Sequence, residues 1–304
     1  MRSRRAWLVV PISVLCAAAI AACGSSSNSS KSAASTPSST TPATSGAVPS
    51  IQAMVPAAVK SKGTLVVAAD ASYAPNEFIA SDGHTVIGMD PDLTKAIAAV
   101  MGLKVKVVNV TFASIIPGMA AGKYDVGASS FTDNKEREKT VDFVTYLSVG
   151  EAFLTKSSGS ANPKTLADLC GLTVSVESGT VELSDAQAQD KKCKSAGKPG
   201  IKLLVFPDQN SANLALKSDR AQVDFADSPI IAYQVRQLGV QVRSSPTFGV
   251  APYGLALPKG NGMAKPVLAA LKHLMANGTY LTILKKWQLQ SAAIKNPVIN
   301  GATS

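Results

Sequence analysis

Thr64-Leu-Val-Val-Ala-Ala69 is a short apolar run, and together with the pattern that follows it at Asp90–Met101 it decides the class of fold. A run of this length between turn signals reads as a strand buried on both faces. Pro75 and Asp82-Gly83 then break the chain into turns. From Asp90, the residues Leu93, Ala96, Ile97, Val100 and Met101 recur at helical spacing, which gathers them on one face of a helix. Gly102 is a natural stop. Lys104–Val110 is predicted as the next strand, Phe112–Ala121 as a helix ended by Gly122, and Val126–Ser129 as a strand running into a polar loop. Alternating strands and helices imply a parallel-rich sheet covered by helices.

The pattern then starts again. Strands are predicted at Thr173–Val176, Lys202–Phe206 and Val223–Ala226, with helices at Val181–Lys192 and Asn210–Lys217. A strand at Gly254–Pro258 and helices at Ala264–Asn277 and Thr279–Trp287 follow. This last stretch has too few strands for a third domain, so it must complete one of the other two. The expected architecture is α/β, with two lobes joined by crossing strands. Such lobes leave a cleft at strand C-termini, where α/β proteins bind small ligands.

Composition narrows the function. Of 304 residues, 46% are hydrophobic and 16% charged, enough apolar material for packed cores. The formal charge of +10 falls to +7 without Arg2, Arg4 and Arg5 at the N-terminus. The remaining cations are scattered, with 5% aromatics, which argues against a nucleic-acid partner, since such modules concentrate charge on one face. Four cysteines rule out a disulfide-dense miniprotein, and two histidines a histidine-rich metal site. No metal-ligand spacing or phosphate loop is present, so no cofactor or metal is expected.

The N-terminus gives an address. Met1–Arg5 is basic and Trp7–Ala22 is sixteen residues without charge, shorter than the ~20 needed to span a bilayer. This is the form of a secretory signal peptide. Ser3-Arg4-Arg5 before Trp7-Leu8 also fits a loose twin-arginine signal, though basic n-regions of the general route are commoner. The segment ends Ile20-Ala21-Ala22-Cys23, which resembles a bacterial lipobox with Cys23 as the acylated residue. Gly24–Ser50 is almost entirely Ser, Thr, Ala, Pro and Gly, with Lys31 its only charge, and cannot bury enough surface to fold. It is expected to be a tether between Cys23 and a body beginning near Ile51.

The body carries further matching stretches in a fixed order: Gly63–Asp70, Tyr73-Ala-Pro75, Gly88–Leu93, Phe112–Pro117, Gly122–Asp125, Ser129–Thr132 with Arg137, Val141–Phe143, Gly179-Thr180, Ala226-Asp227-Ser228 and Lys286-Trp287. In order and spacing these resemble the polar amino-acid family of extracellular solute-binding proteins of ABC importers. The resemblance implies a two-lobed periplasmic-binding-protein fold of the second type that closes on a free amino acid and docks on a permease with its ATPase. It implies an exported monomer, lipid-anchored at the outer face of the cytoplasmic membrane or in the periplasm. It divides the chain into residues 1–22 (signal peptide), 23–50 (tether), 51–149 with 253–304 (lobe one) and 150–252 (lobe two). The hinge falls near Val149–Ala152 and Gly249–Tyr253.

The chemistry of an amino acid accounts for the matched residues. An α-carboxylate calls for forked donors, which Arg supplies, and Arg137 holds the family's carboxylate-binding position. By its local sequence alone, Lys135–Lys139 is a charge run that fits a solvated helix face. The α-ammonium calls for a carboxylate, and Asp227 matches the family's residue; ahead of Ser228-Pro229 it also fits a helix N-cap. Ser129, Ser130 and Thr132 fit either ligand contacts or turn chemistry. Thr180 stands at a predicted helix start, where an N–H can face an anion or the side chain can cap. Tyr73 and Phe112 match aromatic positions flanking the ligand, with core packing the alternative for Phe112. Val181 stands where many relatives carry a threonine. Asn76 replaces an aromatic and predicts a partly polar wall. Asp70, Glu77, Glu177 and Glu182 lie on segments flanking the pocket, where each taken singly fits a solvated or structural role better than a ligand contact; Asp70 and Glu77 join the candidate ligand set, and the four together favour a polar or basic ligand side chain.

The rival class is a secreted enzyme on the same fold, such as a cyclohexadienyl or arogenate dehydratase. Ser195-Ala-Gly-Lys198 lacks the partner motifs of a Ser-x-x-Lys enzyme, and no catalytic residue is assigned. Cys170 and Cys193 remain once Cys16 leaves with the signal peptide and Cys23 is acylated. In an oxidising compartment they are expected to pair, two free thiols being the alternative.

Overall fold

The computed structural model describes residues 46–303. The segments expected to be a signal peptide and a tether, with Cys23 between them, lie largely outside the described residues. The folded body begins slightly before Ile51: Val48 N–H already donates to Val100 O (2.9 Å). Two short helices, α1 (Pro49–Met54) and α2 (Ala57–Lys62), lead into β1 (Thr64–Ala69). A small antiparallel sheet follows, β2 (Ser72–Tyr73), β3 (Glu77–Ile79) and β4 (Val86–Ile87). Then come α3 (Met89–Val100), β5 (Lys104–Asn109), α4 (Phe112–Ala120), β6 (Val126–Gly127) and the single turn α5 (Lys135–Glu138). The strand β7 (Val141–Lys156) runs for 16 residues.

Beyond it, β8 (Thr173–Glu177), α6 (Val181–Ser195), β9 (Lys202–Phe206), α7 (Gln209–Lys217), β10 (Val223–Asp227) and α8 (Ser228–Leu238) form the second α/β round. The chain returns through β11 (Val242–Ser244) and β12 (Phe248–Pro258) to α9 (Ala264–Ala276) and α10 (Thr279–Lys286). The main sheet has the order β5-β1-β6-β12-β7-β10-β8-β9, with β11 also on β7. The pairs β1–β5, β1–β6, β8–β9 and β8–β10 are parallel, as expected. The joining strands are not: β7 and β12 run antiparallel to each other and to their other neighbours.

This pair of strands makes the molecule two-lobed. The Phe143–Leu147 half of β7 packs with β1, α3 and α9 in the first core, around Leu65, Val67, Leu93, Ile97, Leu271 and Leu274. Beyond Gly150 the same strand belongs to the second core, where Phe153 meets Val174, Ala186, Val223 and Phe225. The predicted hinge segments thus fall inside two paired strands rather than in loops. Their register shifts between Phe248 and Ala251 and between Tyr253 and Gly254, and Gly249 takes a φ of +60°, which an L side chain rarely adopts. The last strand pairs with β6, Ala256 opposite Gly127.

Cys170 and Cys193 form a disulfide with Cα atoms 5.6 Å apart, tying the segment before β8 to the last turns of α6. Intact-mass analysis without reductant should find both thiols blocked. The Cys170→Ser/Cys193→Ser variant should lose roughly 3 kcal/mol in denaturant unfolding, the amount expected for opening a loop of this size. Two free thiols in the unreduced protein would contradict the bridge.

Candidate functional site

Strand ends and helix starts from both lobes converge on one narrow cavity of ≈ 10 Å³, lined by Asp70, Tyr73, Phe112, Ser129, Ser130, Thr132 and Arg137 on one side and Glu177, Thr180, Val181, Glu182 and Asp227 on the other. The first lobe's contribution begins where β1 ends. Asp70 accepts from Ser72 N–H (3.1 Å) and Phe112 N–H (2.9 Å), and so pins the turn after β1 to the start of α4. Phe112 both lines the cavity and packs in the core, stacked on Phe131 with centroids 4.4 Å apart. The two readings of this residue are therefore compatible.

The two serines stand on a buried polar shelf. Ser129 Oγ accepts from Asp70 N–H (2.9 Å) and donates to Glu77 Oε1 (3.0 Å). Ser130 holds a φ of +51°, and its N–H donates to Asp90 Oδ2 (2.7 Å) while Asn76 Nδ2 donates to its hydroxyl (2.8 Å). Glu77 and Asn76 are fully buried behind the serines and do not line the cavity. The sequence reading put Glu77 among the ligand residues and Asn76 in the wall; both instead support the residues that face the cavity.

Arg137 is the lone cation of the lining. Its Nη1 donates to Thr132 O (2.9 Å) and its Nη2 donates across the cleft to Gly179 O (3.0 Å). The guanidinium carbon lies 5.4 Å and 5.3 Å from the ring centroids of Phe112 and Phe131, within cation–π range. The charge run around it faces solvent at Lys135, Glu136 and Lys139, but Arg137 itself turns inward.

In the second lobe, Thr180 caps α6, accepting from Leu183 N–H (3.2 Å) and donating to Glu177 O (2.9 Å), while still lining the cavity. Asp227 occupies the N-cap position of α8, yet its side chain makes no cap bond. It accepts instead from the Tyr73 hydroxyl of the first lobe (2.8 Å). Direct contacts thus bridge the lobes at Tyr73–Asp227, at Arg137–Gly179 and at Ser72, whose hydroxyl accepts from Gln209 N–H (2.9 Å). The fold also brings in two residues the sequence reading left outside the ligand set, Glu177 and Glu182. Their positions were the available signal: the last residue of β8 and the first turn of α6, the two ends that face a cleft in this architecture. Each has one carboxylate oxygen buried without a hydrogen-bond partner.

The electrostatics follow from that count. Burial raises the pKa of Asp70, and raises Glu177 and Glu182 well above the usual carboxyl range. Burial pushes Asp227 up to about 6, with the Tyr73 hydroxyl and Arg137 opposing. Glu151, on β7 opposite Asp227 in the ladder, is pushed to about 8 by burial and by the neighbouring Asp185 and Asp227. Arg137 is itself lowered by burial, with Glu182 and Asp227 opposing.

Comparison with known proteins places this geometry. The arrangement is that of a two-lobed periplasmic binding protein of the second type. Solved structures agree in fold: an ancestral arginine-binding protein bound to arginine (34% identity, TM-score 0.68, 74% of this chain and 98% of that one) and the ancestral amino-acid-binding protein AncCDT-1, a precursor of cyclohexadienyl dehydratase (32% identity, TM-score 0.68, 76% and 97%). An arginine-binding protein of Corynebacterium glutamicum is 34% identical over 255 residues, 83% of each chain. ABC transporter arginine-binding protein 1 of Escherichia coli is 28% identical over 71% of this chain and 87% of its own. Residues 65–290 match the bacterial extracellular solute-binding proteins, family 3, and the chain belongs to that family. These relatives are named as binding proteins, which supports a solute-binding role rather than an enzymatic one. Among the described residues no helix is long and apolar enough to cross a membrane, and no group of His, Cys, Asp and Glu is placed to hold a metal ion.

The carboxyls set an expected pH profile. Each raised group binds its proton more tightly folded than unfolded. Its contribution is complete below the unfolded pKa and is lost as pH rises through the folded value. With Asp90 and Asp227 at about 6, Asp133 and Asp224 at about 7 and Glu151 at about 8, the ligand-free protein should lose stability steadily between about pH 4 and pH 8. Asp82, Asp168 and Asp190, held low by hydrogen bonds, act in the opposite sense at more acidic pH. Urea denaturation across this range is the check; a midpoint that rises toward pH 8 would contradict the assignment.

Proposed function

We propose that this protein is an exported, lipid-anchored receptor that binds a free amino acid with a cationic side chain between its lobes and delivers it to an ABC importer. The observation that carries the reading is the charge of the cavity: one guanidinium, Arg137, among four carboxyls, Asp70, Glu177, Glu182 and Asp227. A neutral amino acid brings one positive charge and one negative. A cationic one brings a second positive charge for the carboxyls that Arg137 leaves unmatched. The names of the arginine-binding relatives support the same class of ligand.

In this reading Arg137 holds the α-carboxylate. Two of its five N–H groups are spent on Thr132 and Gly179, leaving three free to donate, joined by Thr132 and the start of α6 at Thr180. Asp227, with Glu182 beside it, takes the α-ammonium. Asp70 and Glu177 face the side-chain cation, Ser129 and Ser130 supply hydroxyl and backbone groups, and Tyr73 and Phe112 flank the ligand. Lobe one comprises 51–149 and 253–304, and lobe two 150–252, with the hinge in the paired strands β7 and β12. The protein acts as a monomer, held at the outer face of the membrane by acylated Cys23, and hands its ligand to a permease driven by an ATPase. A dehydratase on this fold is the weaker reading, because the relatives named above are binding proteins.

Thermal shift on the soluble body should single out cationic amino acids. A ligand at 100 times its dissociation constant should add ~2.7 kcal/mol, and arginine should exceed its neutral isostere citrulline. If no amino acid shifts the melt, the reading fails. Arg137→Ala should weaken binding by ~2–5 kcal/mol, the range for removing one partner of a buried charge pair, while Lys at this position rescues only in part because it lacks the fork.

Glu177→Gln should reduce the preference for arginine over citrulline, measured as the ratio of the two dissociation constants, whereas Glu182→Gln should weaken both ligands alike. Binding should also weaken below about pH 6, where Asp227 takes up a proton and stops pairing with the ammonium. Titration calorimetry at pH 5 and pH 8 reads this directly, and equal affinities at the two values would remove Asp227 from the ammonium site.

A further inference from the structure

Arg137 sits on the single turn α5, Lys135–Glu138. One turn of helix does not support itself, because fixing its dihedrals outweighs the bonds gained. Its cap, Asn134 Oδ1 accepting from Arg137 N–H (2.8 Å), ties the turn only to itself. The position of the guanidinium must come from elsewhere, and the segment Val298–Ala302 is placed to supply it.

That segment first lies along the start of β7. Val298 N–H donates to Thr145 Oγ1 (2.9 Å), and Thr145 N–H donates to Val298 O (2.9 Å). Ile299 bridges Val144, and Asn300 exchanges bonds with Phe143 through its own N–H (3.0 Å) and its Oδ1 (2.8 Å). The chain then turns at Asn300, whose φ is +54°, a conformation asparagine tolerates better than most residues. A Cβ on Gly301 would lie 2.7 Å from Val298 Cγ2 and 2.9 Å from Thr145 Cγ2, so the tight path after the turn calls for glycine.

The turn delivers two N–H groups to the two sides of α5. Gly301 N–H donates to Asp133 Oδ2 (2.7 Å), and Ala302 N–H donates to Glu138 Oε1 (3.2 Å). Asp133 is 1% exposed, and its N–H donates to Pro252 O (2.8 Å) on β12. It directly follows Thr132, whose carbonyl accepts from Arg137 Nη1. Glu138 directly follows Arg137. The segment therefore grips the residue immediately after Thr132 and the residue immediately after Arg137, the two partners of the bond that holds the guanidinium.

We infer that Val298–Ala302 is a strap that positions Arg137 for its ligand, acting through Asp133 and Glu138, neither of which lines the cavity. The inference rests on Arg137 as the α-carboxylate partner proposed above. Asp133 and Glu138 are positioning residues: losing one should loosen Arg137 and weaken carboxylate binding without altering the side-chain preference set by Asp70 and Glu177.

The test is a double-mutant cycle with L-arginine as the probe, on the soluble body. Asp133→Ala should weaken binding about tenfold, as expected for stranding one partly buried hydrogen-bond donor, with the arginine-to-citrulline ratio unchanged. Asp133→Asn retains an acceptor for Gly301 and should restore most of the affinity. In an Arg137→Ala background, Asp133→Ala should have no further effect. Full additivity of the two, or wild-type affinity in folded Asp133→Ala, would overturn the inference.

A ligand-free readout separates this from failure of the functional reading. The Arg137 Nη1–H resonance, bonded to Thr132 O and assigned by its loss in Arg137→Ala, should be protected from solvent exchange in wild type and lose that protection in Asp133→Ala. If wild type binds no arginine, the functional reading fails and this resonance alone decides the strap: unchanged protection refutes it. Should Asp133→Ala not fold, Glu138→Ala at the other end of the turn serves the same measurements.

Discussion

Four carboxyls and one guanidinium share a small cavity between two lobes, and the rest of the structure accommodates that imbalance. Removing an ionised carboxylate from water is costly unless a cation or hydrogen-bond donors replace the solvent. Asp70 is satisfied by two backbone N–H groups and Asp227 by the Tyr73 hydroxyl. Glu177 and Glu182 each keep an unpartnered buried oxygen, and burial holds both well above the usual carboxyl pKa. A cationic ligand in this cavity would exchange protons held on carboxyls for its own N–H donors. Such a site recognises the ligand partly by what it leaves unsatisfied, because a neutral analogue would leave buried acceptors without a partner.

The imbalance also explains why the site is assembled from both lobes. The Arg137 guanidinium reaches across to Gly179 O, Tyr73 reaches across to Asp227, and Ser72 receives the first N–H of α7. Tyr73 also packs with Ala152, Leu154, Ala226 and Ile230 of the second lobe. These contacts exist only while the lobes are together, and Tyr73 supplies their apolar part. Most of the hydrophobic burial lies within each lobe, so bringing the lobes apart would sacrifice little of the core. Between them run β7 and β12, whose shifted register near Phe248 and Tyr253 leaves ladder bonds irregular where the two cores meet. A change of twist there perturbs fewer hydrogen bonds than it would in a regular stretch of sheet.

Most of this was legible in the sequence, and the exceptions share a cause. Apolar runs and helical spacing identify the strands and helices of both rounds to within a few residues, since these elements bury one stripe or both faces. The 16-residue β7 was not legible, because Val141–Lys156 changes environment along its length and carries Glu151 and Gly150 in mid-strand. Of α8 only the start was legible, where Asp227 ahead of Ser228-Pro229 fits a helix N-cap. Among cavity residues, Arg137 and Asp227 are recognisable through the family pattern, while local sequence favours a solvated charge and a helix cap. Glu77 and Glu177 cannot be told apart by composition. One lies behind Ser129 and the other faces the cavity, a difference set by which strand ends the fold brings together.

Stability and recognition are supplied by different parts of the molecule. The largest apolar cluster, from Leu65 through Ile97 to Leu284, lies within the first lobe and excludes the cavity residues. The Cys170–Cys193 bridge closes its loop within the second lobe, with Cys193 packed beside Leu169 and Ala186 in that lobe's core. Neither cysteine lines the cavity. The cleft between them holds strained or unsatisfied groups: Ser130 in a left-handed conformation, two orphaned carboxylate oxygens and a cation on a single helical turn. Groups of this kind persist only where the surroundings over-determine them. Here the surroundings are identifiable: the Glu77–Asp90–Asn76 shelf beneath the serines and the Asp133–Gly301 and Glu138–Ala302 bonds around Arg137. A cleft held ready by second-layer bonds, rather than by its own packing, leaves its polar groups available to a ligand.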